Sequence, residues 1–415
     1  MPCRCAKYSY ARGNRCWAQV PEGEIHMLIL NRLIAFIAVI PCIAHAETEV
    51  PVTYLKQEVP LPPVLSNLDP IPEDNGLAGA RLGLEDNLTT AKFLGHNYTL
   101  SFSIVPEGGD WLAAAKEALD SSQFIILDAP PSAQLAVADL PAAENAILFN
   151  ASEYDMSLRN KECRSNLFHA IPSYSMRADA LMQFLAYRRW SNLALITGNR
   201  HKDIAFAESL KRSATKFGLE LENEKPWLSD ADMRRNAARE VPLLTQDLND
   251  HDILLISDEL HDFGRYIAYN TWAPRPIGGS EGLQPVAWSR VVEQWGAVQL
   301  QNRFEELAAR DMTSRDFAAW VAIRSLGEAV TRTGSNDPQM LREYMLSDNF
   351  ELSGFKGRPL TFRHWNGQLR QPIPLVTERS VVAMAPLEGF LHQNTELDTL
   401  GIDEPESECK QFERR

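Results

Sequence analysis

The chain has 415 residues, 45% hydrophobic and 23% charged, the make-up of a folded protein with room for two or three domains. Its net charge of −14 repels phosphate backbones and no Lys/Arg run interrupts it, which excludes nucleic acid as an expected partner.

From Met27 the chain reads MLILNRLIAFIAVIPCIAHA. Arg32 precedes an apolar run over 33–40, and Pro41 and the small-x-small triplet Ala44-His45-Ala46 follow. This is the layout of a secretory signal peptide, and the run is far short of the ~20 residues of a membrane span. Residues 1–26 lack the character of an n-region, so Met27 is expected as the true start; one long leader is the alternative. Pro41 disfavours lipidation at Cys42. Residues 1–46 are therefore read as leader and signal peptide, and the remainder as an exported, soluble product. Of six cysteines, only Cys163 and Cys409 lie beyond that segment. In an oxidising compartment they suggest one disulfide closing a loop of about 245 residues, with two free thiols as the alternative.

The mature part opens with a strand at 52–55 and Pro-rich loops at 59–63 and 69–72. Helices are then expected at 77–94, 111–119 and 134–140, alternating with strands at 98–102, 124–127 and 146–149. After Pro172-Ser173 the alternation restarts. A helix at 176–189 carries Ala180, Leu181, Phe184 and Leu185 on one stripe. Strands at 193–196, 219–221 and 253–256 alternate with helices at 204–217 and 232–248, the latter interrupted at Pro242. Helices at 287–309 and 315–331 follow, then one starting at Asn336-Asp337-Pro338, and Asn366-Gly367 marks a hairpin turn. Short, continuous apolar strands read as parallel strands buried on both faces. Repeated β-α-β units predict an α/β fold of two doubly wound parallel-sheet lobes joined by a hinge. The expected boundaries are 47–172 for lobe one, with about 302–350 returning to it, 173–301 for lobe two, with about 351–380, and a C-terminal extension at 381–415.

No G-x-S-x-G, H-E-x-x-H or P-loop motif is present. Gly278-Gly279-Ser280-Glu281-Gly282 lacks the Lys and spacing of a phosphate cradle, and His201, His251 and His261 do not share metal spacing. The chain is expected to be no enzyme and to hold no cofactor or metal. Catalysis would require two of Asp128, Glu153 and Asp258 to face each other with displaced pKa values. In open parallel sheets ligands bind at the carboxyl ends of the strands. That rule selects Ser132, Asn150, Ser152 and Tyr154 in lobe one, and Asn199, Asp258 and Glu281 in lobe two. Trp272 and Trp288 flank the Glu281 loop and are the aromatic candidates, with Trp272 taken as a ligand contact.

Residues 79–87 (GARLGLEDN), 168–173 (FHAIPS) and 355–369 resemble corresponding segments of the type I periplasmic binding proteins, the leucine/isoleucine/valine-binding family. Pro359 departs from the late motif's spacing. Ala129-Pro130-Pro131-Ser132 departs from the Ser/Thr-rich loop with which the amino-acid binders hold a carboxylate, since Pro offers no N–H. A closer likeness is carried by TWAPRP (271–276), WGAVQLQ (295–301), GFKG (354–357), GQLRQPI (367–373), GFLH (389–392) and LDTLG (397–401). These resemble the substrate-binding proteins found with PQQ-dependent alcohol dehydrogenase systems. The resemblance implies a monomeric periplasmic component of an ABC importer, binding a small molecule between its lobes and meeting an inner-membrane permease. A sensor or accessory protein of the same fold, serving the dehydrogenase system, is the alternative it leaves open.

Overall fold

The structure is a computed structural model that describes residues 47–60, 71–228 and 233–412. The expected signal peptide, with Met27 and Cys42, and most of the Pro-rich stretch lie outside the described residues.

The first lobe is built on β1 (Thr48–Gln57), α1 (Leu77–Leu94), β2 (His96–Val105), α2 (Trp111–Ser121), β3 (Phe124–Asp128), α3 (Pro131–Ala138), β4 (Ile147–Asn150) and β5 (Leu167–His169). Its strands form one parallel sheet in the order β2-β1-β3-β4-β5. β3 and β4 are buried along their whole length, which is why they lack alternation. The second lobe takes α4 (Tyr174–Arg188), β6 (Asn192–Thr197), α5 (His201–Lys216), β7 (Glu220–Pro226), α6 (Met233–Thr245), β8 (Ile253–Ser257) and β9 (Ile277–Gly279). Its sheet is also parallel, in the order β7-β6-β8-β9.

The chain returns through β10 (Gln284–Pro285) to α7 (Ala297–Ala308), α8 (Ser314–Thr333) and α9 (Pro338–Met345), which pack into the core of the first lobe. α8 starts at a capping box in which Thr313 and Asp316 satisfy each other's end of the helix. It lies so close to α1 that a Cβ on Gly79 would stand 1.9 Å from the Asp316 carbonyl oxygen. Then come β11 (Leu352–Ser353), β12 (Pro359–Phe362), β13 (Leu369–Arg370), β14 (Ile373–Val376) and β15 (Val381–Ala385).

Three segments between the lobes, around 170–173, 285–289 and 370–373, form the hinge. Polar side chains pin them. Arg159 donates to Gln368 Oε1 (2.8 Å) and the Ile171 carbonyl (3.1 Å), and Gln371 donates to the Ala170 carbonyl (2.9 Å). The buried Lys356 amine donates to Gln371 Oε1 (2.6 Å) and to the Pro372 carbonyl (3.2 Å). Burial pulls its pKa well below the ordinary lysine value.

Several expectations change. The helix expected from 287 begins only at Ala297, because Trp295 and Gly296 lie at φ 56° and 80° and break the run. The helix expected from 134 starts at Pro131, where a missing N–H costs nothing. β7 is twice the expected length; its Glu-Leu-Glu-Asn-Glu-Lys alternation is that of a charged edge strand. α4 has no single apolar stripe, since Tyr174 to Leu185 are all buried. The return to the second lobe at 351 is also displaced. Leu352, Leu360, Phe362 and Leu369 sit in the first lobe's core, and the second lobe's core is rejoined at Ile373.

The last segment is no loose extension. β15 pairs antiparallel with β14. Asp398 is buried between Arg363 (2.9 Å) and Arg370 (2.8 Å), and Lys216 of the second lobe donates to the carbonyls of Thr399 (3.0 Å) and Gly401 (3.1 Å). Cys163 and Cys409 form a disulfide with Cα atoms 5.7 Å apart, fastening the tail to the first lobe.

Candidate ligand-binding cleft

The carboxyl ends of the two sheets approach each other. Glu153, just past β4, takes a hydrogen bond from Lys202 in the first turn of α5 at 2.8 Å, directly across the two lobes. A cavity of about 1300 Å³ opens at the strand tips. Arg200, Glu259, His261, Asp262 and Glu281 line it from the second lobe, Trp288 and Ser289 from the hinge, and Ile71 from the first lobe. It runs on beside the edge strand β9 to Phe184, Trp190 and the β14–β15 turn.

In the first lobe, Asn150 closes β4 and is fully buried. Its Oδ1 accepts from the Ser152 and Glu153 amides (3.1 and 2.9 Å) and from Gln134 Nε2 (3.1 Å). Its Nδ2 donates to the Glu153 carbonyl (2.8 Å) and lies 3.2 Å from His169 Nδ1. Every side-chain polar atom of Asn150 is thus engaged in shaping the loop. Ser152 is buried too, its Oγ accepting from the Ala129 amide at 3.2 Å. Asp128, at the end of β3, accepts from Tyr54 Oη (3.0 Å) and pairs with Arg315 of α8 (3.1 Å). The Tyr154 ring stacks on Tyr174 with centroids 5.4 Å apart.

In the second lobe the central feature is Arg177 of α4. It lies over the rings of Tyr154 (4.8 Å), Tyr174 (5.7 Å) and Phe206 (4.4 Å). Its guanidinium forks onto Glu259 (2.5 and 3.0 Å), and its Nε donates to the Pro285 carbonyl (3.0 Å). Burial alone would push the Glu259 carboxyl up, but Arg177 beside it, with the Ser280 hydroxyl at 2.8 Å, holds it below the ordinary range. Asp258 is buried, its Oδ2 accepting from the Phe263 and Gly264 amides (2.8 and 2.7 Å). Its Oδ1 has no partner, and burial raises its pKa against those backbone hydrogen bonds. Glu281 pairs with His261 Nδ1 at 2.8 Å. Burial pulls this imidazole down, but Glu281 and the neighbouring acids outweigh it and raise its pKa. Arg200 pairs with Asp262 at 3.0 Å.

Asp203 braces this wall, accepting from the amides of Glu259 (2.8 Å) and Arg200 (3.1 Å). Burial, against those two bonds, pushes its carboxyl up to about 6. The folded state therefore binds a proton that the unfolded chain releases near pH 4, and the stability from this proton is lost as pH rises through about 6. Carbon-detected NMR titration is expected to find Asp203 at that midpoint. The Asp203→Asn variant should flatten the stability change between pH 4 and 7, and an unaltered slope would contradict the assignment.

Of the ligand contacts chosen from sequence, only Glu281 lines the cavity. Ser132 and Asn199 are exposed at the strand tips, and Ser152, Asp258 and Tyr154 stand behind the wall, holding its loops or stacking at the hinge. Trp272 is 67% exposed and does not line the cavity, and its amide is held by Thr245 Oγ1 (2.9 Å). Trp288 is the aromatic that does line it, buried against Phe317 at 4.8 Å. Glu259 stood in the strand-end segment 257–259 that the sequence selected, but its partner Arg177, 82 residues away, was not singled out. The available signal was a charge at 177 between the apolar Met176 and Ala178 of one helix.

The acids considered for catalysis are all engaged: Asp128 by Tyr54 and Arg315, Glu153 by Lys202, and Asp258 by backbone amides. Among the described residues, no group of three or more His, Cys, Asp or Glu is placed to hold a metal ion, and no helix is long and apolar enough to cross a membrane.

Residues 77–238 match a family model described as "Periplasmic binding protein". No curated protein matches the chain in sequence. Solved structures match over nearly their whole length. An amino acid ABC transporter substrate-binding protein from Pseudomonas fluorescens aligns with TM-score 0.62 at 13% identity, over 82% of this chain and 96% of that one. A periplasmic binding protein from Burkholderia mallei aligns with TM-score 0.62 at 11% identity, over 88% and 100%. A solute-binding protein of an ABC transporter from R. palustris, solved with benzoate, gives 0.60 at 11% identity, over 87% and 99%. None of these three is named as an enzyme. With two parallel-sheet lobes, a hinge between them and a cavity at the second lobe's strand tips, the chain has the type I periplasmic-binding-protein fold.

Proposed function

We propose that the chain is the periplasmic solute-binding component of an ABC importer, a binding protein and not a catalyst, working beside PQQ-dependent alcohol oxidation. The observation that carries this is the cavity at the strand tips, bounded by the second lobe, the hinge and Ile71 of the first lobe, with Lys202 and Glu153 already meeting across the lobes. Closure about the hinge would enclose a small molecule there and present a joined two-lobe face to a permease. The link to alcohol oxidation rests on the motifs at 271–276, 295–301, 354–357, 367–373 and the tail. Glu281, His261 and Trp288 are the proposed ligand contacts, with Ser132 and Asn199 closing from the strand tips.

A thermal-shift screen of the mature protein against small metabolites tests this. A one-site ligand at 100 times its Kd adds about 2.7 kcal/mol to stability. A clear upward shift with at least one compound is the expected result. A metabolite collection spanning acids, amines, amino acids and alcohols that moved nothing would remove the proposal.

A further inference from the structure

We infer that the solute taken by this cleft carries no net or local charge. The inference rests on the binding reading above and concerns the kind of molecule bound.

A carboxylate entering from the first lobe needs a cation or a set of free amides, and the described strand tips there have most of their donors engaged, with Ser132 at the start of α3 keeping an exposed hydroxyl. Pro130 and Pro131 have no N–H to give. The Ala129 amide donates to Ser152 Oγ, the Ala151 amide to the Leu127 carbonyl, and the amides of Ser152 and Glu153 to Asn150 Oδ1. Arg315 of that wall is paired with Asp128, and Arg159 behind it is held by Gln368 and backbone carbonyls. An ammonium group entering from the second lobe needs a carboxylate without a partner. Glu259 is forked by Arg177 and also accepts from Ser280, Glu281 is met by His261, and Asp262 is met by Arg200. Glu153, the acid at the lobe junction, is paired with Lys202.

The pairing is systematic. Each of these acids has a cation of its own, drawn from a different element, while Asp258 behind the wall is held through Oδ2 by amides of its own loop. A charged guest would have to displace one of these partners and leave an unpaired charge behind, most costly at Glu259 and Glu153, whose side chains are 8% and 7% exposed. An uncharged guest displaces nothing. Leu260, Ile277, Leu283, Val286 and Trp288 supply apolar wall for a hydrocarbon body. Ser289 and the rims of the ion pairs supply sites for hydroxyl or carbonyl oxygens. Of the other charges along the cavity, Arg265 has an interaction of its own, and Glu378 and Arg379 sit exposed on the β14–β15 turn at its far end.

The experiment is calorimetric titration of the purified mature protein with probes of matched carbon skeleton: primary alcohols and diols, the corresponding carboxylates and amines, and the corresponding α-amino acids. The tightest binder is expected among the alcohols and diols, by at least about tenfold over its charged counterparts. A carboxylate, amine or amino acid binding tightest overturns the inference while leaving the binding function intact. Heat from none of the four classes counts against the binding function itself. The variant Lys202→Met gives a second, independent reading. It leaves Glu153 without its cation, so an amine probe should gain about tenfold in affinity over the wild type. An amine that gains nothing would mean that the pairing does not govern selection.

Discussion

Replacing Arg177 by Met is expected to lower the free energy of unfolding by about 3–5 kcal/mol, because it strands Glu259 in a buried site. The side chains of this pair are 9% and 8% exposed, so water does little to compensate. The guanidinium is also the common contact of Tyr154 from the first lobe and of Tyr174 and Phe206 from the second. The variant should therefore loosen the hinge side of the cleft and weaken ligand binding along with stability. The pH dependence should change sign as well. In the wild type Glu259 is held below its ordinary pKa, so its contribution is present at neutral pH and lost as pH falls through that depressed value. Without Arg177, burial outweighs the Ser280 hydroxyl and His261, the carboxyl's pKa rises, and the variant should lose stability as pH increases. The double variant Arg177→Met with Glu259→Gln should recover part of the loss, as expected for coupled groups. Urea unfolding at several pH values measures all of this. A single variant within about 1 kcal/mol of wild type would show that the pair is not the keystone described.

The second large effect is at the other end of the molecule. Replacing both Cys163 and Cys409 by Ser is expected to cost about 2–5 kcal/mol, since the bond closes a loop with a separation of 246 residues. The noncovalent tail contacts should survive in the variant, above all the buried Asp398 between Arg363 and Arg370. The tail also contacts both lobes: Lys216 and Arg212 of the second, Asn160 and Lys161 of the first. The unfolding midpoint should therefore fall while the transition stays cooperative. Reductant should lower the wild-type midpoint by a similar amount and leave the double variant unmoved. A variant as stable as the wild type would mean that Asp398 and its arginines hold the tail unaided.

What the sequence could and could not disclose follows from the range of the forces involved. The runs at 124–127, 193–196 and 253–256 are legible because a strand buried on both faces has nothing but apolar residues to show. Their positions placed a cleft at the carboxyl ends of the sheets, and the loops after β8 and β9 do line the cavity. β7 was under-read because an edge strand facing water carries charge, and its polar alternation looks like loop. The stretch before Ala297 was over-read as helix because its break is a backbone conformation at Trp295 and Gly296. The site residues were harder. Asn150 and Trp272 had the right chemistry at the right distance along the chain. One, however, is consumed by the amides of its own loop, and the other projects outward from the rim. Arg177 and its pairing with Glu259 were invisible because the partnership exists only after α4 has docked beside β8, and no local spacing encodes it. Trp288 against Trp272 was a choice between two flanks of one loop, and tertiary packing alone decides it.

The central claim is that the two lobes enclose a small molecule where their strand tips meet. The most direct test is a crystal structure of the protein grown with the tightest-binding compound from the screen. The expected map shows that compound beside Glu281, His261 and Trp288, with the first lobe's strand tips drawn over it. A compound found bound elsewhere, with the space between the strand tips filled by solvent, would contradict it.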